Sequence, residues 1–191
     1  MNSSRGRLTV SMTPDFLSHY YEATRGPFRN LSHLAVSEAE EIMVEIQEAG
    51  QVFAAARSVD YLTIRRDLED QVRVLFIARG GQPLLARPHY MVLGSCPWLL
   101  DWYVDGRELR IPMNAFARDR VSFTYGDTFP AMRRQDGKPY RGRVFTFDDL
   151  PDLLATYGLP QEWNGDGSGG PDRYIEAQVW DDAPLLPYLM G

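Results

Sequence analysis

Residues 58–79, with the sequence SVDYLTIRRDLEDQVRVLFIAR, decide the fold class of this chain. Apolar side chains recur there at helical spacing, at Tyr61, Ile64, Leu68, Val72 and Leu75. On the other side of the helix, Arg65 lies four residues before Glu69, and Arg66 lies four before Asp70, which predicts an exposed ladder of ion pairs. The stretch therefore predicts a long amphipathic helix that Ser58 caps and that ends at the glycine pair 80–81.

A second amphipathic helix is predicted just before the first. Ser37 and Glu40 have the spacing of a capping box, and the apolar stripe that follows ends at Gly50. After residue 81 the pattern changes to short β-type runs, at 89–93, 108–113, 121–125, 143–147 and 174–180. Residues 16–21 are predicted to form a strand or a short helix, and residues 97–103 are predicted to form a short helix. A further helix is predicted before Gly158, with Thr146 or Asp148 as its cap. Helices first and strands later predict an α+β fold, with two N-terminal helices packed on a mainly antiparallel sheet.

Length and composition indicate a globular protein. The chain has 191 residues, 44% hydrophobic and 24% charged, which is enough to build one buried core. We expect a flexible tail over residues 1–12 and a single domain over residues 13–191. The lone Cys96, the lack of an apolar leader and the lack of a long apolar run favour a soluble, cytoplasmic protein without a membrane segment.

The charge is unevenly distributed along the chain. The net charge is −6, and from residue 144 onward nine acidic residues accompany a single basic one, Arg173. An acidic protein is a poor general ligand for nucleic acid, so general nucleic-acid binding is not expected. The basic segment 133–143 is predicted to be a solvated hairpin. The sequence leaves the oligomeric state open.

Several common cofactor and metal motifs are missing from the sequence. It contains no G-x-G-x-x-G, no Walker loop, no H-E-x-x-H and no C-x-x-C. Residues 164–170, NGDGSGG, are similar to the start of a calcium loop, but the position that should supply a bidentate carboxylate is Ile175. No metal site is therefore expected, and Cys96 is predicted to be a buried structural thiol.

The last predicted strand carries the candidate functional residue. Alternation places Tyr174, Glu176, Gln178 and Trp180 on one face of this strand. Such a face either lines a cleft or belongs to an edge strand that faces solvent, and alternation alone favours the edge strand.

Two resemblances bear on function. Five segments are similar to a bacterial family without an assigned function. They are GPFRNLSHL (26–34), RPHYMVLG (87–94), VSFTYGDTFPAM (121–132), GLPQEWN (158–164) and RYIEAQVWDD (173–182). The order of His19, then the polar and aromatic strand 121–125, then Glu176 resembles the ADP-ribosyltransferase fold. The middle strand departs from that family's pattern, and Tyr174 stands where the family has Gln or Glu.

The second resemblance implies an NAD-dependent transferase. Glu176 is then the catalytic carboxylate, which stabilises the positive charge that develops on ribose as nicotinamide leaves. His19 and Arg57 hold the adenosine ribose and phosphates, and Tyr20 or Tyr125 stacks on the nicotinamide ring.

A non-enzymatic interaction module is the alternative. It uses exposed aromatic residues as anchors and the acidic C-terminal third to attract a basic partner. The aromatic candidates are Trp98, Trp102, Tyr103, Trp163 and Trp180. The position of Glu176 discriminates between the two hypotheses, because an enzyme needs it in a cleft and a module does not.

Overall fold

The computed structural model describes residues 13–49 and 60–189. The predicted tail over residues 1–12 and the predicted cap at Ser58 lie outside the described residues. So does Arg57, one of the residues that the resemblance assigns to NAD.

A five-stranded antiparallel sheet forms the centre of the fold. Its strands are β1 Phe16–Glu22, β2 His89–Leu93, β3 Gly106–Pro112, β4 Val121–Tyr125 and β5 Ile175–Val179. Their order across the sheet is β3-β1-β2-β5-β4, and each neighbouring pair is antiparallel. Residues 16–21 thus belong to a strand. Residues 143–147 do not form one, and contribute a single bridge between Phe145 and Phe123.

Helices flank this sheet, as the α+β prediction requires. They are α1 Val36–Ala49, α2 Tyr61–Ala78, α3 Thr128–Arg133, α4 Leu150–Tyr157, α5 Pro160–Trp163 and α6 Leu186–Leu189. A turn of 3-10 helix leads into α4, and Thr146 caps it with Asp149 in a capping box. Residues 97–102, predicted as a short helix, form a 3-10 helix. The mixed α+β architecture of one domain is confirmed.

The two faces of the sheet differ in polarity. One face carries Phe123 and Ala177 and belongs to the main core, together with Leu150 and Leu154 of α4. The other face carries Ser122, Thr124, Glu176 and Gln178, which are all buried. Strand β5 lies between β2 and β4, so the favoured reading of it as an edge strand was wrong.

The buried side of α2 differs from the predicted one. Its buried residues are Leu62, Leu68, Glu69, Val72 and Phe76. The predicted exposed ladder is wrong at Glu69, which is only 1% exposed and pairs with Arg65 inside the protein. Asn30 and Ser32, the cap and a residue of a short 3-10 helix, supply polar partners for Arg65 and Glu69 on this side of α2.

Within the described residues, no helix combines the length and the apolar character that crossing a membrane requires.

Candidate functional site

A cavity of about 840 Å³ lies where β1, β2 and β5 meet the helical layer. Its wall takes Tyr20 and Tyr90 from β1 and β2, Glu176 from β5, Arg65 from α2 and Thr128 from α3. The volume falls within the range of small-molecule sites, about 300–1,000 Å³. The cavity therefore combines a carboxylic acid, an arginine and aromatic rings in a space that a small ligand can occupy.

Glu176 is buried on this wall with only 7% of its surface exposed. Its Oε1 accepts hydrogen bonds from the Thr128 hydroxyl, from the Thr128 N–H at 3.2 Å and from the Gln178 amide at 3.3 Å. Burial raises the pKa of Glu176 to about 8, and the negative charge of Asp127 adds to this shift. Near neutral pH the carboxyl group is thus poised to gain or lose a proton.

Gln178 connects Glu176 to the adjacent strand. Its amide oxygen accepts from Ser122 Oγ at 2.9 Å, and its amide nitrogen donates to Thr124 Oγ1 at 3.0 Å. The indole N–H of Trp180 donates to the same Ser122 hydroxyl at 2.9 Å. This polar network explains how so many polar residues of β4 and β5 can be buried without losing their hydrogen bonds.

Asp127 is a second carboxylate on the cavity wall. It caps α3 by accepting from the Phe129 N–H at 2.9 Å, and its other oxygen accepts from the Tyr174 hydroxyl at 3.0 Å. The tight turn at Gly126, with φ of +96°, places Asp127 directly after β4. Asp127 thus follows the end of β4, Glu176 lies near the start of the neighbouring strand β5, and the charge of Asp127 acts on Glu176.

His19 lines the cavity, but both of its ring nitrogens are already used. The Phe28 N–H donates to Nε2 at 2.9 Å, so Nδ1 carries the proton and donates to the Tyr90 carbonyl at 3.0 Å. Burial lowers the pKa of His19 to about 4, which keeps the ring neutral at pH 7. The ring also stacks on Phe28, with 4.1 Å between centroids. His19 therefore joins β1, β2 and the 23–30 loop rather than presenting a free nitrogen to a ligand.

The two tyrosine candidates lie on different sides of the sheet. Tyr20 lines the cavity, and its hydroxyl donates to Glu108 at 2.9 Å. Tyr125 pairs with Ile175 and belongs to the main core, where its hydroxyl donates to the carbonyls of Tyr157 and Gly158. The expectation that Tyr125 stacks on a ligand beside Glu176 is corrected, because strand alternation turns it to the opposite face.

The predicted aromatic anchors of an interaction module do not share one surface property. Trp163 is 52% exposed and Tyr103 is 36% exposed, whereas Trp180 is fully buried. Trp180 was wrongly grouped with exposed anchors: it lies near Phe76 of α2 and contributes to the core. Trp102 and Tyr103 line the cavity.

No group of three or more His, Cys, Asp or Glu residues with the arrangement of a metal site occurs in the described part of the chain. In segment 164–170, the Asn164 side chain bonds the Asp172 carbonyl and the Gly169 N–H, so this candidate calcium ligand already has protein partners. Cys96 is buried, as expected for a structural thiol, and burial raises its pKa to about 12.

Sequence reasoning missed Asp127, Thr128, Arg65 and Glu69. Asp127 and Thr128 follow Gly126 at the end of a predicted strand, and an Asp before a short helix is a signal for a helix cap that the sequence does carry. No comparable signal separates Arg65 and Glu69 from a surface ion pair at the same spacing.

Comparisons of the chain with protein-family models, with curated proteins and with solved structures found no match.

Proposed function

We propose that the protein is an enzyme that acts on a small molecule in the 840 Å³ cavity, with Glu176 as its central catalytic residue. The observation that carries this proposal is a buried carboxyl group on the cavity wall whose pKa is raised to about 8. Groups with strongly shifted pKa values in clefts are candidates for proton transfer and for stabilising charge that develops in a reaction.

Comparison with the other buried carboxylates supports a functional role for Glu176. Glu69 pairs with Arg65, and Asp172 pairs with Lys138 and Arg141. Glu176 forms no ion pair within the described residues. A buried carboxyl group without a cationic partner costs stability. Its place on a cavity wall gives that cost a functional explanation, which a place in the core does not.

NAD is the substrate that we propose, on the basis of the resemblance to ADP-ribosyltransferases. Cleavage of the bond between nicotinamide and ribose creates positive charge on the sugar, and an ionised Glu176 stabilises that charge. The bound pyridinium ring is itself cationic, so its approach favours the ionised form of Glu176 and releases a proton. Trp102 and Tyr174 on the cavity wall offer aromatic faces for the ring.

The first test is to compare NAD binding and nicotinamide release between the wild type and Glu176→Gln. We expect calorimetry to detect NAD binding to both proteins. Nicotinamide release should fall by at least about 100-fold in the variant, because the lost interaction acts in the transition state. Glu41→Gln, which removes an exposed carboxylate from α1, is the matched control and should keep wild-type activity.

The pH profile gives a second readout of the same role. Because Glu176 acts in its ionised form on NAD, kcat/KM should rise as pH increases through about 8, the pKa of this group. Glu176→Gln should flatten this rise. A profile that falls above pH 8 would contradict this role and indicate that Glu176 acts in its protonated form, as a general acid. Wild-type protein that binds no NAD at millimolar concentration would exclude NAD and favour the interaction module, with exposed Trp163 as its first candidate anchor.

A further inference from the structure

We propose that Arg65 is the oxyanion-binding residue of the cavity and that Glu69 positions it. Arg65 would take a carboxylate or phosphate group of the ligand, beside Glu176. This inference rests on the proposed function only in that the oxyanion belongs to the ligand on which Glu176 acts. Binding of a free oxyanion by Arg65 does not depend on catalysis.

Arg65 is held in one orientation by three acceptors. Its Nε donates to Glu69 Oε1 at 3.0 Å, Nη1 donates to the Tyr61 hydroxyl at 2.7 Å, and Nη2 donates to Asn30 Oδ1 at 3.2 Å. The guanidinium also lies over the Tyr90 ring, 4.4 Å from its centroid. A guanidinium has five N–H donors, so two remain after the three hydrogen bonds made within the described residues. Because the side chain is already ordered, binding an anion costs little further conformational entropy.

Glu69 is the centre of the contacts that hold Arg65. Its Oε1 also accepts from Ser32 Oγ at 2.7 Å and from the Tyr90 hydroxyl at 2.8 Å. Its Oε2 lies 3.7 Å from Nε of Arg87, but Arg87 pairs more closely with Asp70, at 2.7 Å, so Arg65 is the main arginine partner of Glu69. Glu69 therefore holds Arg65 through Nε, and within the described residues each Nη atom keeps one N–H beyond its hydrogen bond to Tyr61 or Asn30.

The cavity side of Arg65 offers a position for an anion. The side chain is 16% exposed and lies on the cavity wall, and its charge acts on Glu176 by lowering its pKa. Burial and Asp127 outweigh that effect and keep the pKa of Glu176 above its ordinary value. An arginine with two donors left over among the described residues, beside a carboxyl group of raised pKa, favours a ligand whose anionic group lies near its reacting bond.

The test is a titration of the wild type with inorganic phosphate, pyrophosphate and acetate, followed by NMR of the arginine Nε–Hε signals. Chloride keeps the ionic strength constant. We expect a saturable shift of the Arg65 signal. That signal is assigned by its absence from the spectrum of Arg65→Lys. A larger response to phosphate or to acetate tells whether the ligand carries a phosphate or a carboxylate. Arg65→Lys should weaken oxyanion binding by about 10- to 100-fold, because lysine loses the fixed fork of donors. Arg66→Lys is the matched control, since Arg66 bonds the Leu34 carbonyl and does not line the cavity.

Glu69→Gln tests the positioning role. It should shift the Arg65 signal in the free protein and weaken oxyanion binding by about tenfold, whereas a purely structural role would change thermal stability and leave oxyanion affinity unchanged. Glu176→Gln should retain oxyanion binding, which separates this inference from the proposed catalysis. The absence of a saturable Arg65 shift at about 50 mM of each anion in folded wild-type protein would overturn the inference. Unchanged oxyanion affinity in Arg65→Lys would also overturn it.

Discussion

Three buried carboxylates show how the surroundings of a side chain decide its role. Glu69, Asp172 and Glu176 are each less than 10% exposed. Glu69 accepts a hydrogen bond from an arginine, and Asp172 accepts hydrogen bonds from a lysine and an arginine, so both carboxylates hold parts of the fold together. Glu176 has the Thr128 and Gln178 donors instead, and these neutral groups do not compensate for burial of its charge.

The raised pKa of Glu176 predicts an unusual pH dependence of stability. In the unfolded chain this group loses its proton near its ordinary pKa of 4.5, whereas in the folded protein it keeps the proton up to about 8. Its contribution to stability is therefore greatest below pH 4.5 and is lost as pH rises to about 8. Glu176→Gln should raise the free energy of unfolding at pH 8, by an amount on the order of a few kcal/mol, and should have little effect at pH 5.

Urea denaturation of both proteins at pH 5, 6.5 and 8 measures this difference. Equal stability of wild type and Glu176→Gln at pH 8 would show that burial imposes no penalty on the ionised group. A gain in stability from removing the proposed catalytic carboxylate is the expected trade between stability and activity.

At the scale of elements, the basic segment 133–143 is largely exposed, as its charge predicts, but it forms no hairpin and is tied to a buried carboxylate. The buried carboxylate of Asp172 accepts three hydrogen bonds from this segment. The donors are Lys138 Nζ at 2.6 Å, the Tyr140 hydroxyl at 2.7 Å and Arg141 Nη1 at 2.6 Å. Burial alone would raise the pKa of Asp172, but these hydrogen bonds outweigh it and hold the pKa below its ordinary value. Asp172 therefore attaches the segment after α3 to the chain just before β5.

Asp172→Ala should lower the free energy of unfolding at pH 7 by about 3–5 kcal/mol, because Arg141, 6% exposed, would keep a buried charge with only Asp136 to compensate it. In the wild type, the contribution of Asp172 is present above its ordinary pKa of 3.8 and is lost as pH falls through its lower folded value. Thermal denaturation from pH 7 down to pH 3 measures both effects. Asp136→Ala removes the more exposed partner of Arg141 and should cost less. An equal loss in both variants would contradict the central role of Asp172.

At the scale of the whole molecule, the two faces of β4 and β5 contribute to different parts of the protein. Phe123 and Ala177 of the apolar face pack into the main core, and neither lines the cavity. The polar face supplies Glu176 and Tyr90 to the cavity. Substitutions on the two faces should therefore have different consequences.

Phe123→Ala should lower the free energy of unfolding by about 3–5 kcal/mol through the void it leaves in the core. Phosphate affinity, measured on the folded protein, should stay at the wild-type value. Arg65→Lys should show the reverse, with weakened phosphate binding and a smaller loss of stability. Denaturation and phosphate titration of the two variants side by side measure both quantities. Loss of phosphate affinity in folded Phe123→Ala would show that the two faces are coupled.

The sequence by itself determined the α+β class, most strand positions and the shared face of Glu176 and Gln178, because these follow from the local periodicity of apolar residues. It also identified Glu176 as the candidate carboxylate. The tertiary structure alone decided that β5 is an inner strand, that Tyr125 faces away from Glu176, and that Arg65 and Glu69 lie inside. Strand order and the partners of a charged side chain depend on contacts between residues far apart in the chain. Glu69, for example, accepts hydrogen bonds from Ser32 and Tyr90, and local periodicity does not predict such contacts.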